Sequence, residues 1–217
     1  VTNSQNELIN RFLSGEQVSN DQMDRNDIFV CLVSLTFLAV FAASAVAFLM
    51  WIHRASSNLE PLDAQAQRFS PRWAVGWWFI PIMVWWRPYQ VVQEIWKGSD
   101  PYYVGERAKN WEEAPRGVWL VGWWAMWLIS TVSLTSSSTV RGGSPQLFWY
   151  TEIVGEEMKA ANESGYFSEY IFIAVSVLAL FVVKVISNRQ ERKFNAIYAI
   201  NLDTLRNIGP YTEQESA

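Results

Sequence analysis

Residues 73–86 form an uncharged block, WAVGWWFIPIMVWW, that contains five Trp and one Pro. A helix that crosses a bilayer needs about 20 apolar residues, whereas runs of about 10–14 are typical of buried, re-entrant or interfacial segments. The block is therefore too short for a straight crossing and too apolar for a solvated loop. Trp favours the membrane–water boundary, where its ring is apolar and its N–H still finds a partner. The block predicts a Trp-rich re-entrant or interfacial helical segment.

Three other apolar runs are long enough to be considered as membrane spans. They cover residues 28–52, 117–138 and 170–186, and the first has 25 residues without a charge. Half of all residues are hydrophobic, yet the mean hydropathy is only +0.02, which is typical of a membrane protein with sizeable polar loops. We predict an all-α, polytopic membrane protein with three transmembrane helices.

The basic residues predict the orientation of these spans. If the Trp-rich block does not cross, the segment 53–116 and the C-terminal tail 187–217 lie on one side of the membrane. Together with Lys184, near the inner end of the span 170–186, that side then holds thirteen of the seventeen Lys and Arg, and such enrichment marks the cytoplasmic side. The thirteen are Arg54, Arg68, Arg72, Arg87, Lys97, Arg107, Lys109, Arg116, Lys184, Arg189, Arg192, Lys193 and Arg206. The N-terminal segment 1–27 and the loop 139–169 are then extracytoplasmic.

The cytoplasmic-face segment has a second amphipathic element after the Trp-rich block. From Tyr89 to Lys97 the apolar residues recur at helical spacing, and polar residues, Gln93 among them, occupy the other side. Gly98 and Pro101 then end the pattern. The spacing predicts an amphipathic helix that lies on the membrane surface.

The stretches VAFLMWIHRASSNL (46–59) and SPRWAVGWWFIPIMVWWRPYQVVQEIWKGSDP (70–101) resemble the DUF4328 family of bacterial integral membrane proteins. The likeness covers about residues 6–195 and includes the later stretch WWAMWL (123–128). It implies a bacterial cytoplasmic membrane, a further N-terminal helix ahead of Val1 and therefore four spans in the precursor. The resemblance implies Asn three residues after the Pro of the block, where this chain has Val84. The function of the family is unknown, so the resemblance implies architecture and little chemistry.

The residue inventory argues against several classes of function. A net charge of −4 without a basic stripe argues against nucleic-acid binding. The single Cys31 and single His53 are predicted at opposite ends of the first span, and no phosphate-binding or dinucleotide motif is present. We therefore expect no enzymatic activity, no metal site and no obligatory cofactor. His53 could serve as a lone axial ligand to a haem or a pigment, although an interfacial His is more commonly an anchor.

Arg and Trp side chains at the predicted inner face form the best candidate binding group. Arg pairs well with phosphate, and Trp suits the depth of lipid headgroups. The same pattern also fits ordinary positive-inside anchoring and helix packing. The candidate lipid- or partner-binding residues are Arg54, Arg72, Trp77, Trp78, Trp85, Trp86, Arg87, Trp123 and Trp127.

Three functions are compatible with these features. The first is a non-enzymatic accessory or scaffold subunit that packs against other integral membrane subunits of a larger complex, respiratory or photosynthetic. The second is a protein that binds membrane lipid or a small amphiphile with the Trp-rich block as its pocket floor. The third is a small oligomeric channel or carrier, which is disfavoured because the spans carry almost no ionisable residues.

Overall fold

Helices account for every regular element that the computed structural model describes, which covers residues 20–141 and 153–208 together with 7, 10, 11 and 14. The prediction of an all-α fold is confirmed for these residues. The α-helices are α1 Asn20–Ser57, α2 Pro71–Gly76, α3 Arg87–Gly98, α4 Val118–Arg141 and α5 Ile153–Ile208. Three 3₁₀ segments, Trp77–Phe79, Met83–Trp85 and Gly105–Glu113, lie between them.

Two of the described helices are long and apolar enough to cross a membrane. They are Asp27–Ser57 in α1 and Tyr170–Asn207 in α5. The predicted span 117–138 corresponds to a shorter apolar helix, Val118–Val132, within α4. The three-span prediction is therefore confirmed only in part. Helix α4 continues through the Ser- and Thr-rich residues 133–141, but the side chains of these residues are not described.

The predicted extracytoplasmic loop 139–169 is partly helical. Helix α4 continues to Arg141, and α5 begins at Ile153. Helix α5 is 56 residues long because the polar sequence on both sides of its apolar stretch contains no Pro to end it. Most of the predicted segment 1–27 up to residue 19, and the end of the predicted tail from residue 209, lie outside the described residues.

Prolines divide the Trp-rich block into short pieces. Pro71 begins α2, where its missing N–H costs no helical hydrogen bond. Ile80 is extended, with φ −96° and ψ 112°, because the residue before a Pro avoids the helical region. The block is therefore a bent chain of one α-helix and two 3₁₀ segments rather than a continuous helix.

The chain forms two compact units. The first comprises residues 1–48 and 125–177. Within it, the Phe172 ring meets Phe37 and Phe41 edge-on, at 6.0 Å between centroids in each case. These aromatic contacts pack the apolar part of α5 against α1.

The second unit comprises residues 49–124 and 178–217 and includes the Trp-rich block. Its buried apolar residues include Ile52, Leu59, Ile95 and Ile186. Gly98 allows a close approach at the end of α3, because a Cβ added there would lie 2.9 Å from Leu59 Cδ2.

Side chains hold the irregular segments of the second unit by donating to main-chain carbonyls. The Trp111 indole N–H donates to the carbonyl of Gln65 at 2.8 Å, and the Trp96 indole N–H donates to that of Pro115 at 3.1 Å. Main-chain carbonyls outside helices need such partners when they are shielded from water. These bonds fix the loops that surround α3.

Candidate functional site

Arg87 lies between two aromatic rings at the start of α3. Its guanidinium carbon is 5.1 Å from the centroid of the Trp77 ring and 5.6 Å from that of Phe69. Trp77 in turn packs on Trp73, with 4.7 Å between ring centroids. We name Phe69, Trp73, Trp77 and Arg87 the Arg87 stack. A guanidinium placed in this way gains cation–π attraction, which is stronger where water is excluded.

One polar contact orients the guanidinium of the Arg87 stack. Arg87 Nη1 donates to the side-chain oxygen of Gln90, 3.3 Å away and one helical turn along α3. Glu94 lies one turn further, and its carboxylate accepts the backbone N–H groups of Arg68 and Phe69. Burial raises the pKa of Glu94, and those two hydrogen bonds partly oppose the shift.

Three other predicted residues gather around Trp124, which the sequence analysis did not single out. Trp124 meets the Trp78 ring edge-on at 6.0 Å between centroids and the Trp123 ring at 5.7 Å. Its indole N–H donates to the carbonyl of Trp85 at 3.2 Å. The α4 helix thus meets the Trp-rich block through a chain of indoles. The density of Trp in WWAMWL was the only available signal for this contact.

The remaining candidates differ in their exposure. His53 and Arg54 are exposed near the end of α1, and Arg72 is exposed in α2. Trp86 is 42% exposed beside Arg87. Trp127 is half-buried in the first unit, where its carbonyl accepts the Ser130 hydroxyl. The structure therefore brings Arg87 and Trp77 together and leaves the other two candidate Arg residues on the surface.

A second basic–aromatic contact, which the sequence analysis missed, joins α5 to the end of α3. The Arg189 guanidinium lies over the Trp96 ring, 4.0 Å from its centroid. The same guanidinium forms an ion pair with Asp100. Arg189 and Trp96 are 93 residues apart, so no local pattern could reveal the pair.

Two buried polar side chains of α5 reinforce this junction. Lys193 is fully buried and donates to the carbonyl of Gly98 at 2.8 Å. Gln190 donates to the carbonyl of Ala55 at 2.8 Å and accepts from Asn58 at 3.1 Å. The polar residues after the apolar stretch of α5 therefore bind the protein's own backbone rather than only solvent.

Helix α3 is more deeply buried than a surface helix. Its apolar residues Val91, Val92 and Ile95 are buried inside the unit, so this face packs on protein. Gln93 is buried too, although the sequence pattern placed it on the polar side. Its side chain donates to the carbonyl of Gly117 at 2.9 Å and accepts the N–H of the same residue at 3.2 Å. A side-chain amide here satisfies both backbone groups of one buried residue.

Within the part of the chain that the structure describes, no group of three or more His, Cys, Asp or Glu side chains is placed to hold a metal ion. The available groups are guanidinium and indole donors set among aromatic faces. Such groups bind anionic oxygen acceptors and apolar chains.

Comparisons with known proteins agree with the architecture. A family model described as a domain of unknown function, DUF4328, matches residues 14–188. No curated protein and no solved structure matches the chain. The family match covers α1 to α4 and the apolar stretch of α5, and it includes the whole Trp-rich block. The chain therefore belongs to the DUF4328 family.

Proposed function

We propose that the chain is a non-enzymatic integral membrane protein that acts as an accessory or scaffold subunit and packs against another membrane subunit. The observation that carries this proposal is an exposed apolar stripe in the C-terminal part of α5, beyond the uncharged run 170–183. We name the stripe residues Phe194, Tyr198, Leu202 and Leu205. At 3.6 residues per turn they fall within an arc of about 80°. They are between 48 and 66% exposed.

We expect the stripe to lie outside the hydrocarbon core of the membrane. The apolar stretch of α5 ends near Ile186, and at 1.5 Å per residue Phe194 lies about 12 Å further along the helix and Leu205 about 28 Å. The charged residues from Arg189 onward support a position of this part of α5 outside the hydrocarbon core. An exposed apolar stripe in water is a typical protein–protein contact. The occupant we propose is an apolar helix face of a second membrane subunit.

The membrane placement has separate support. No residue in the most apolar window of the α1 span is buried inside the protein. Its exposed side chains include Leu38 at 60% and Met50 at 63%. An apolar surface of this kind requires lipid or another subunit around it. The thirteen basic residues then favour a cytoplasmic position for the Trp-rich block in a bacterial inner membrane.

Adding charge to the stripe should release the partner. We expect the double variant Phe194→Lys with Leu205→Lys to lose the complex, because burying each of these side chains contributes about 1.5–3 kcal/mol. That sum corresponds to an affinity loss of more than about 100-fold. The measurement is the size of the complex after gentle detergent extraction, combined with photo-crosslinking from position 198 to identify one recurring membrane partner.

The matched control adds the same two charges to the same helix. Ala199 and Asn207 are exposed and lie away from the stripe, so Ala199→Lys with Asn207→Lys should retain the complex. Melting temperatures of both variants show whether the fold is intact. A wild-type protein that runs only as a monomer, without crosslinks from position 198, contradicts the proposal.

Cysteine labelling tests the proposed topology. In a Cys31→Ser background, single cysteines at Glu60 and Asn110 should be labelled from the same side of the membrane, because the Trp-rich block between them does not cross. Both side chains are exposed, so labelling reports sidedness rather than burial. A cysteine at Ser14 should be labelled from the opposite side. Opposite labelling of positions 60 and 110 contradicts the topology.

A further inference from the structure

Two donors in the Arg87 stack have no acceptor within the described part of the chain. Arg87 Nε and Trp77 Nε1 are both buried, and neither has a hydrogen-bond partner among the residues that the structure describes. The two side chains touch, since the guanidinium packs over the Trp77 ring at 5.1 Å. A buried donor left without a partner costs about 1–3 kcal/mol, and more when the group is charged. An acceptor supplied from outside the chain would satisfy these donors on two contacting side chains.

The charge of Arg87 makes an anionic acceptor the best fit. Arg87 forms no ion pair within the described segments. The nearest acidic side chain on the same helix face, Glu94, is occupied by two backbone N–H groups. A second guanidinium, Arg68, lies 5.2 Å from the Phe69 ring on which Arg87 also packs. The two Arg residues therefore share one aromatic ring. Arg68 already interacts with the Glu94 carboxylate, so Arg87 carries the charge that an external anion would neutralise.

The surroundings indicate where such an anion comes from. The Trp-rich block next to the stack exposes Trp73 at 52%, Phe79 at 71% and Ile82 at 68%. Exposed aromatic and aliphatic side chains of this size are suited to the headgroup and upper acyl region of a bilayer. The abundant anionic oxygen at that depth is the phosphate of a phospholipid, and guanidinium and indole N–H groups are good donors to it.

We infer that Arg87 Nε and the Trp77 indole N–H bind a phosphate oxygen of an anionic phospholipid headgroup. Arg68 adds positive charge to the site, and the exposed Trp73 and Phe79 pack against the upper acyl chains. The inference rests on the membrane placement in the proposed function and is independent of its protein partner.

Lipid titration of the purified full chain tests this site. The protein in neutral detergent is titrated with phosphatidylglycerol, with phosphatidylcholine and with inorganic phosphate, and bound lipid is counted by native mass spectrometry. The wild type should prefer phosphatidylglycerol, because two Arg residues favour a net negative headgroup. We expect Arg87→Gln to weaken this binding by about tenfold or more, since it removes a charge-assisted donor. Trp77→Phe keeps the ring and loses the N–H, and should weaken binding by about threefold to tenfold.

Control variants separate a specific site from a general effect of charge. Arg116→Gln makes the same charge change at an exposed position and should leave binding within about twofold of wild type. If Arg87→Gln does not fold, Trp77→Phe alone still decides, because it retains the packing of the stack. Unchanged phosphatidylglycerol binding in Trp77→Phe and in any folded Arg87→Gln overturns the inference. Displacement of the lipid by equimolar inorganic phosphate also overturns it, because free phosphate would then be the ligand.

Failure of this site and failure of the partner proposal give different results. The stripe variants on α5 should bind phosphatidylglycerol as the wild type does, because Phe194 and Leu205 are not part of the Arg87 stack. The Arg87 and Trp77 variants should still form the complex with the second membrane subunit.

Discussion

Replacing Gln93 with Leu should lower the free energy of unfolding by about 1–3 kcal/mol, one of two strong effects that we expect on stability. The substitution keeps most of the side-chain volume and removes both hydrogen bonds to Gly117. The Gly117 N–H is then left in a buried place without a partner, which costs about 1–3 kcal/mol. The Gly117 carbonyl still accepts the N–H of Leu120. Denaturant titration in detergent, followed by circular dichroism, measures the change.

Gln65→Leu is the matched control for the Gln93 variant. The Gln65 side chain is exposed, and its contribution to the fold is a main-chain carbonyl that the substitution keeps. We expect a change within about 0.5 kcal/mol. Equal unfolding free energies for the two variants would show that the contact between Gln93 and Gly117 is energetically unimportant.

Arg189→Met should destabilise the second unit by about 2–3 kcal/mol. The variant keeps an apolar stem but loses the ion pair with Asp100, the cation–π contact with Trp96 and the hydrogen bond to the Trp96 carbonyl. The two charged side chains are 19% and 11% exposed, so the expected loss is smaller than that for a fully buried pair. The same denaturant titration measures it.

A double-mutant cycle isolates the ion pair from the rest of this effect. If Arg189 and Asp100 interact directly, Arg189→Met and Asp100→Asn should cost less together than the sum of their separate effects, by about 1 kcal/mol or more. Arg192→Met, an exposed position on the same helix, should have almost no effect. Additive effects of the pair would contradict a stabilising ion pair.

Much of the architecture could be predicted because it depends on local patterns. Long uncharged runs predicted the apolar helices in α1 and α5, and the short length of the Trp-rich block with its Pro81 predicted that it is not a straight span. Periodicity was less reliable for Gln93. It separates apolar from polar positions, but it cannot show that a polar side chain is buried because a backbone far along the chain needs its hydrogen bonds.

The sequence predicted which residue types form the candidate site, but not which of these residues contact one another. Arg and Trp residues were abundant, but the sequence could not show which Arg packs on which ring. Arg87 reaches Trp77 because the chain turns back at Pro81, and the sequence pattern does not define the geometry of that turn. Arg189 reaches Trp96 across 93 residues, which no spacing rule covers. The sequence analysis missed the apolar stripe on α5 because it used the charged residues of the C-terminal tail only to predict the orientation of the spans.

The long-range hydrogen bonds in the second unit are accepted by main-chain carbonyls, and this affects which positions can change in sequence among members of the family. Trp96, Trp111, Trp124 and Lys193 each donate to a main-chain carbonyl of a distant residue. A carbonyl remains when the residue that carries it is exchanged. Substitutions at the donor positions should therefore be tolerated less than substitutions at the acceptor positions, because only the donors depend on a particular side chain. The exposed acceptor positions can drift as long as the backbone path is kept.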